Sequence, residues 1–340
     1  MGEASGDPEL RARPGDMVSQ RSNMTGYIIR RLLALPFMLV GISLLLFLLL
    51  FIRPGNAAFA NIASIGDFGA QEEIFEEKFG LNRPWYVQYL DWLGNAARGD
   101  FGDSLTPPQD GVTEQIQERI WNTVEIGLLT IAISAVIGIG VGALSAVKRN
   151  SWVDYLFRVV TIAGISVPNF WTATLLLTLP ALWWDWTPFA SDWVPFDENP
   201  IKNLQIIFWP ALILAYSGAA YVARLVRSSM LEVYYSDYVR TARSKGLAER
   251  TVVARHVFRN SLIPVITVIG LQVGTILAGV IIVEQIFAIP GLGLMTFQAV
   301  VAEDYPLVLG AVMVFATMFI VVTLIVDLLY TVVDPRITYA

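Results

Sequence analysis

Six apolar stretches, each long enough to cross a bilayer, dominate this 340-residue sequence. They run over Leu32–Ile52, Val124–Val147, Leu156–Leu182, Ile206–Ala223, Leu262–Ile286 and Leu307–Val332. About 20 apolar residues suffice for a helix to span the hydrocarbon layer. In hydrocarbon a backbone must satisfy its own hydrogen bonds, so only helices and closed barrels cross. Nothing here alternates at the roughly ten-residue spacing of barrel strands. The expectation is an all-α integral membrane protein built as a six-helix bundle. Pro210 and Gly218 interrupt the fourth stretch, which makes it the weakest of the six. Composition agrees: 15% of residues are charged and mean hydropathy is +0.57, against about 25% charged in soluble domains.

Several kinds of chemistry are excluded outright. There is no cysteine and one histidine, His256, so disulfides, thiolate sites and multi-histidine metal centres have no ligands. His256 stands beside Arg255 and Arg259 and reads as structural. The net charge of −6 argues against nucleic acid. No G-x-x-x-x-G-K-[ST] phosphate loop is present, and no paired catalytic groups lie at span depth, which disfavours a membrane-embedded hydrolase.

The basic residues set the orientation. With the N-terminus inside, seventeen of the 23 Lys and Arg fall on inner segments, eight of them between Arg224 and Arg259. The positive-inside rule then puts both termini in the cytoplasm of a multi-pass cell-membrane protein. Acidic residues collect on the outer side, between Asp67 and Glu118. The layout expected is a polar, unstructured tail over 1–26, a first span over 27–52, an outer segment over 53–118, a five-helix core over 119–333 and a short inner tail over 334–340. Within the outer segment, Tyr86, Tyr89, Leu90 and Leu93 recur at helical spacing, predicting a small helical cap. Trp183, Trp184, Trp186 and Trp193 read as interfacial anchors. Pro290, Gly291 and Gly293 predict a turn before a short re-entrant helix, Leu294–Val301.

The inner loop over 228–260 carries the most information. Leu231, Tyr235, Tyr238 and Ala242 predict one helical stripe, with Arg240, Arg243 and Lys245 turned toward solvent or a partner. Gly246 after Lys245 fits a helix C-terminus, and a second short helix follows over 248–260. Two helices about a glycine turn make a lobe that can couple a soluble partner to the spans it joins; the plainer alternative is a loop that only sets topology. Inside the spans, Asn169, Ser217 and Gln272 are candidates to line a pathway, since polar groups at membrane depth seek protein or water; helix packing is an equal alternative for each. Glu125, Glu284 and Asp327 lie near span ends and read as interfacial or paired. A secondary transporter would need a carboxylate near mid-span, which is missing. A channel would leave the lobe without a purpose.

The loop's residues Arg240-Thr241-Ala242-Arg243, Lys245-Gly246-Leu247, Arg255-His256, Arg259-Asn260 and Pro264 resemble the cytoplasmic loop of ABC-transporter permeases of the peptide and nickel importer type. The general family's Glu-Ala-Ala is Arg240-Thr241-Ala242 here, as in that subgroup. GLNRPWYVQYLDWL with GDFGDSL, SVPNFW at Ser166–Trp171, FAIPGLG at Phe287–Gly293, DYP at Asp304–Pro306 and DLLYTVVDPRI at Asp327–Ile337 resemble the same permeases in the same order. The resemblance spans Tyr27 to the C-terminus. It implies a membrane subunit of an ATP-driven importer of dipeptides or oligopeptides, or of nickel chelates. Its implied partners are a second, homologous permease in a heterodimer, two ATPase subunits that bind ATP and Mg²⁺, and an extracytoplasmic binding protein. The chain itself would bind no cofactor and would not be an enzyme. The lobe would be the coupling helix, with Asp237, Tyr238, Arg240, Thr241, Ala242, Lys245 and Gly246 facing an ATPase.

Overall fold

The computed structural model describes residues 14–51, 83–106, 109–186 and 193–333. Within them the chain is almost wholly helical: α1 (Pro14–Phe51), α2 (Trp85–Ala96), α3 (Val112–Val147), α4 (Trp152–Ser166), α5 (Asn169–Trp184), α6 (Pro200–Tyr234), α7 (Asp237–Ser244), α8 (Ile263–Phe287), α9 (Leu292–Val301) and α10 (Tyr305–Val333). Between α7 and α8 the short helical pieces Glu249–Thr251 and Arg259–Ser261 flank a π-helical run, Val252–Phe258. The first 82 residues bear on two expectations. Helix α1 begins at Pro14, so residues 14–26 are helical where an unstructured tail was expected. Residues 1–13 of that tail, 53–82 and 107–108 of the outer segment, and the C-terminal tail, 334–340, lie outside the described residues.

Among the described residues, five helices are long and apolar enough to cross a membrane, and six if α4 and α5 together count as one crossing. The third stretch, Leu156–Leu182, is divided between two helices. Helices α4 and α5 meet at a bend of 101°. Pro168 lacks an N–H and crowds the residue before it out of the helical region; Val167 accordingly sits extended at φ −90°, ψ 124°. The fourth span, by contrast, is stronger than its sequence suggested. Pro210 is buried inside one continuous 35-residue helix. Its start is sealed by Asn199, whose side chain accepts from the Lys202 N–H at 3.1 Å, with Pro200 in the first turn, where a missing N–H costs nothing.

Helix α6 is the axis of the bundle: 56% of its most apolar window is buried, against 6% for α1. Its closest neighbour is α3. A Cβ on Gly138 would stand 2.6 Å from Val222 Cβ, and one on Gly142 would stand 2.5 Å from the Ala223 carbonyl oxygen and 2.7 Å from Val226 Cβ. Two glycines four residues apart remove the side chains from one stripe of α3, and the backbones close on it. Gly218 of α6 leaves room for Ser134 of α3 and Gln272 of α8, and Gly279 of α8 leaves room for Leu214.

The outer end is tied by carboxylates. Glu284, fully buried near the end of α8, accepts from the Gly293 N–H at 2.6 Å, the Leu294 N–H at 3.0 Å and the Thr123 hydroxyl at 2.6 Å. Thr123 Oγ1 in turn accepts from the Leu292 N–H at 2.8 Å. Three orphan donors of the first turn of α9 are thereby satisfied, and the N-terminal positive end of its dipole meets a carboxylate. Asn122 donates to the Pro290 carbonyl at 2.7 Å. Asp304, also fully buried, caps α10 through the Leu307 N–H at 3.2 Å and takes hydroxyl bonds from Ser104 and from Thr106, the latter at 3.0 Å. The GDFGDSL and DYP segments, 200 residues apart, close on one another through it.

Of the four residues at helical spacing in the expected cap, one is buried. Tyr89 of α2 is buried, its hydroxyl 2.9 Å from Ser43 Oγ and its ring 5.4 Å from that of Phe47, so α2 is pinned to α1. Leu93 is half-buried, whereas Tyr86 and Leu90 are exposed. The tryptophans divide as well. Trp183, Trp184 and Trp186 are exposed, while Trp193 packs on the cluster that holds Ile207, Phe287 and Ile289.

Candidate functional site

The inner lobe hangs from the end of α6. That helix stops at Tyr234, and α7 starts three residues later with Asp237 in its first turn. The break divides the expected stripe: Tyr235 and Tyr238 are exposed, Leu231 is half-buried, and the residues of α7 that face inward are Val239 and Ala242. These two pack with Val226, Met230, Val252, Val257 and Val265. The lobe therefore has its own apolar anchor, shared with the inner ends of α6 and α8.

Helix α7 ends as its glycine predicts. Gly246 lies at φ +77°, in the left-handed region that other residues enter only at a cost. The Gly246 N–H donates to the Arg243 carbonyl at 2.9 Å and the Leu247 N–H to the Ala242 carbonyl at 3.4 Å. This double closure is the Schellman arrangement. Among the residues expected to meet a partner, Asp237, Tyr238, Arg240, Thr241, Lys245 and Gly246 are exposed. Ala242 is not: at 7% exposure it holds the lobe to the bundle.

Arg243 is also not where the sequence placed it. Its guanidinium makes two bonds to Glu249, Nε to Oε2 at 3.0 Å and Nη2 to Oε1 at 2.9 Å, and lies 4.2 Å over the Tyr234 ring. The Tyr234 hydroxyl donates to the same carboxylate at 2.9 Å. The Arg243 hydrogen bonds, with the Tyr234 hydroxyl second, hold the Glu249 carboxyl below its usual 4.5. Glu249 was not singled out by sequence, since an acid six residues past an arginine looks like any surface charge until the glycine turn folds the two together. Arg149, from the turn after α3, stacks over Tyr234 and Tyr235 at 5.4 and 5.1 Å. Asn260 closes the other side, donating to the Tyr238 hydroxyl at 3.2 Å and the His256 carbonyl at 2.8 Å.

Beneath the lobe lies a buried ion pair that sequence reading also missed. Asp154 accepts two bonds from Arg227, at 2.8 and 3.0 Å, one from Ser145 at 2.5 Å and one from the Asn150 N–H at 3.0 Å. It fixes the start of α4 to both α3 and α6. The lobe, the α3–α4 turn and the inner half of α6 thus form one cross-linked unit. From it the π-helical run leads, after Leu262, straight into α8, whose outer end holds α9 through Glu284.

The three candidate pathway residues lie on three different helices, α5, α6 and α8. Gln272 Nε2 donates to the Gly218 carbonyl at 3.4 Å across the α6–α8 contact, and Ser217 Oγ bonds the Leu214 carbonyl of its own helix at 3.3 Å. Asn169 is the first residue of α5 after the bend.

With this geometry in place, comparison with known proteins is informative. Residues 24–133 match the N-terminal model, and residues 138–339 the main model, of the binding-protein-dependent transport system inner membrane component. An oligopeptide transport system permease protein, AppB, of Bacillus subtilis is 38% identical over 318 residues, covering 93% of this chain and all of the relative. A dipeptide transport system permease protein, DppB, of Alkalihalophilus pseudofirmus is 36% identical over 341 residues, with coverage of 93% and 100%. Among solved structures, a chain of the MetNI methionine ABC transporter, captured in inward-facing conformations, aligns with TM-score 0.53 at 15% identity over 67% of this chain and 99% of its own; at that identity the likeness is one of fold. The chain belongs to the family of binding-protein-dependent transport system inner membrane components.

Proposed function

We propose that this chain is a membrane-spanning subunit of an ABC importer that moves peptides into the cell. The observation that carries the reading is full-length similarity, at 36–38% identity, to permeases named for oligopeptide and dipeptide transport. Those names favour peptides over the nickel chelates that the loop motifs alone left open. The assembly would contain a second, similar permease, two ATPases that bind ATP and Mg²⁺, and an extracytoplasmic binding protein. The chain would cross the membrane six times, α4 and α5 making one bent crossing, with both termini inside.

The lobe gives this reading a mechanism. Asp237, Tyr238, Arg240, Thr241 and Lys245 present an exposed, mixed-charge rim that suits a groove on an ATPase. Val239 and Ala242 beneath it are buried, and Arg243–Glu249 locks α7 to the run that leads into α8. A displacement of the lobe therefore reaches α6 directly and α8 through the π-helical run. Since Glu284 of α8 holds the first turn of α9, the same rigid path reaches the outer surface. ATP-driven closure below would be felt above through packed helices with few loose joints.

The test is purification of the chain, tagged at its C-terminus, from mild-detergent membranes, followed by mass spectrometry and peptide uptake. Two P-loop ATPases, a second permease and uptake of labelled dipeptides or oligopeptides are expected. A chain that comes alone or as a homo-oligomer, even after crosslinking, refutes the importer reading. Uptake of nickel chelate without peptide refutes the substrate.

A further inference from the structure

Among the described residues, helix α6 is enclosed on three sides and open on the fourth. Ala219, Val222, Ala223 and Val226 face α3. Tyr216, Ala220 and Arg227 face α4, through the Tyr216 hydroxyl to the Val160 carbonyl, the Gly164 contact and the Asp154 pair. Leu214 and Gly218 face α8. At about 100° per residue, the inner half of the helix has one side left. It carries Ser217, Tyr221, Arg224 and Ser228, of which the last three are exposed.

This open side is polar, whereas those of α1 and α4 are apolar. The exposed residues of α1 include Leu32, Leu33 and Phe37, and those of α4 include Leu156, Val159 and Ile162, as expected for surfaces against lipid tails. Tyr221 lies in the last turn of the apolar stretch, and Arg224 and Ser228 follow it along the same helix; polar and charged groups at the end of a span face the bundle interior or water rather than lipid tails. Arg224 lies roughly 15 Å from the inner end of α6, ten residues before Tyr234. Its guanidinium carbon is 5.9 Å from the Tyr221 ring centre. No ion pair joins it to a carboxylate among the described residues, whereas Arg227, one turn on, is held by Asp154 at 2.8 Å.

We propose that this face of α6 lines the aqueous path of the importer, and that Arg224 is the cation that meets the C-terminal carboxylate of a peptide in transit. The second half rests on the peptide reading above. An α-carboxylate is the anion common to every unmodified peptide whatever its side chains, so one guanidinium on the path serves a broad range of sequences. A charge-assisted bond of this kind is roughly twice as strong as a neutral one, and Tyr221 stacked beside the guanidinium limits its motion.

The absence of cysteine makes the test direct. Ser228→Cys, Tyr221→Cys and, as a lipid-side control, Val159→Cys are introduced one at a time into the assembled importer in lipid nanodiscs and exposed to a charged thiol reagent. Fast modification at 228 and 221 with a slow reaction at 159 is expected; equally slow modification at all three overturns the aqueous face, whether lipid or a second subunit covers it. A peptide with a free C-terminus should slow the reaction at 228, and its C-terminal amide should not. In Arg224→Gln the free peptide should protect about tenfold less well, as loss of one charged hydrogen bond implies, and Arg224→Lys should restore most of the protection. Equal protection by acid and amide overturns the role of Arg224. If the unaltered importer takes up no peptide of either kind, the peptide reading fails and the carboxylate role with it, while cysteine reactivity still decides whether the face is wet.

Discussion

Replacing Glu284 by alanine tests how the outer end is held. The carboxylate is fully buried and accepts from two backbone N–H groups of α9, at 2.6 and 3.0 Å, and from the Thr123 hydroxyl at 2.6 Å. The hydroxyl can turn to another acceptor; the two N–H groups cannot. A buried donor left without a partner costs about 1–3 kcal/mol, so with two of them Glu284→Ala should destabilise the chain by roughly 2–6 kcal/mol before any contribution from the cavity. Glutamine is the discriminating control. Its carbonyl oxygen can keep both N–H bonds while its amide donates to Thr123 Oγ1, so Glu284→Gln should cost only about 1 kcal/mol. Reversible unfolding in mixed micelles, followed by tryptophan fluorescence, measures both. An alanine variant within about 0.5 kcal/mol of the unaltered chain, or a glutamine variant as damaging as alanine, would refute the capping role.

Gly142→Leu should pry α3 from α6, since even a Cβ there would meet the Ala223 carbonyl at 2.5 Å; a loss of about 1–3 kcal/mol is expected, while Gly140→Ala, with nothing within 4 Å, should be neutral or slightly stabilising in the same unfolding assay. Gly246→Val forces a branched side chain to φ +77° at a cost of roughly 1–2 kcal/mol, and should lower peptide-stimulated ATP hydrolysis with normal membrane insertion; full coupling in the variant would remove the turn from the mechanism. The Arg243–Glu249 clasp should weaken in acid. The Glu249 carboxyl is held below 4.5 when folded, chiefly by Arg243, so its stabilisation is complete above that value and is lost as pH falls through the lower folded value, Arg243 staying charged throughout. Hydrogen exchange across Asp237–Ser244, corrected for intrinsic rates, should rise below pH 4.5 and lose that dependence in Glu249→Gln.

The lobe shows where reading a sequence succeeds and where it stops. Gly246 was legible because a left-handed backbone leaves few residue choices. The exposed rim was legible because basic residues follow a positional rule. Glu249, Asp154 and Thr123 were not, because each acts on a residue brought near by folding: Arg243 across a turn, Arg227 on the next helix but one, and the first turn of α9 some 170 residues away. The stripe through Leu231, Tyr235, Tyr238 and Ala242 failed for a related reason. Periodicity assumes one continuous helix, and the chain breaks between Tyr234 and Asp237.

By itself the sequence determined that this chain lives in a membrane, how many apolar stretches it carries, where its basic loop lies and to which family its motifs point. Those follow from length, hydropathy and local backbone rules, which act along the chain. Only the tertiary structure decided that Pro168 bends the third stretch by 101°, whereas Pro210 sits harmlessly inside the helix that forms the axis of the bundle. The same residue type gives opposite results, because a helix break survives only where neighbouring helices do not enforce continuity. Only the tertiary structure, too, separated the polar residues that pack, such as Gln272 against Gly218, from the polar stripe through Arg224 that is left open.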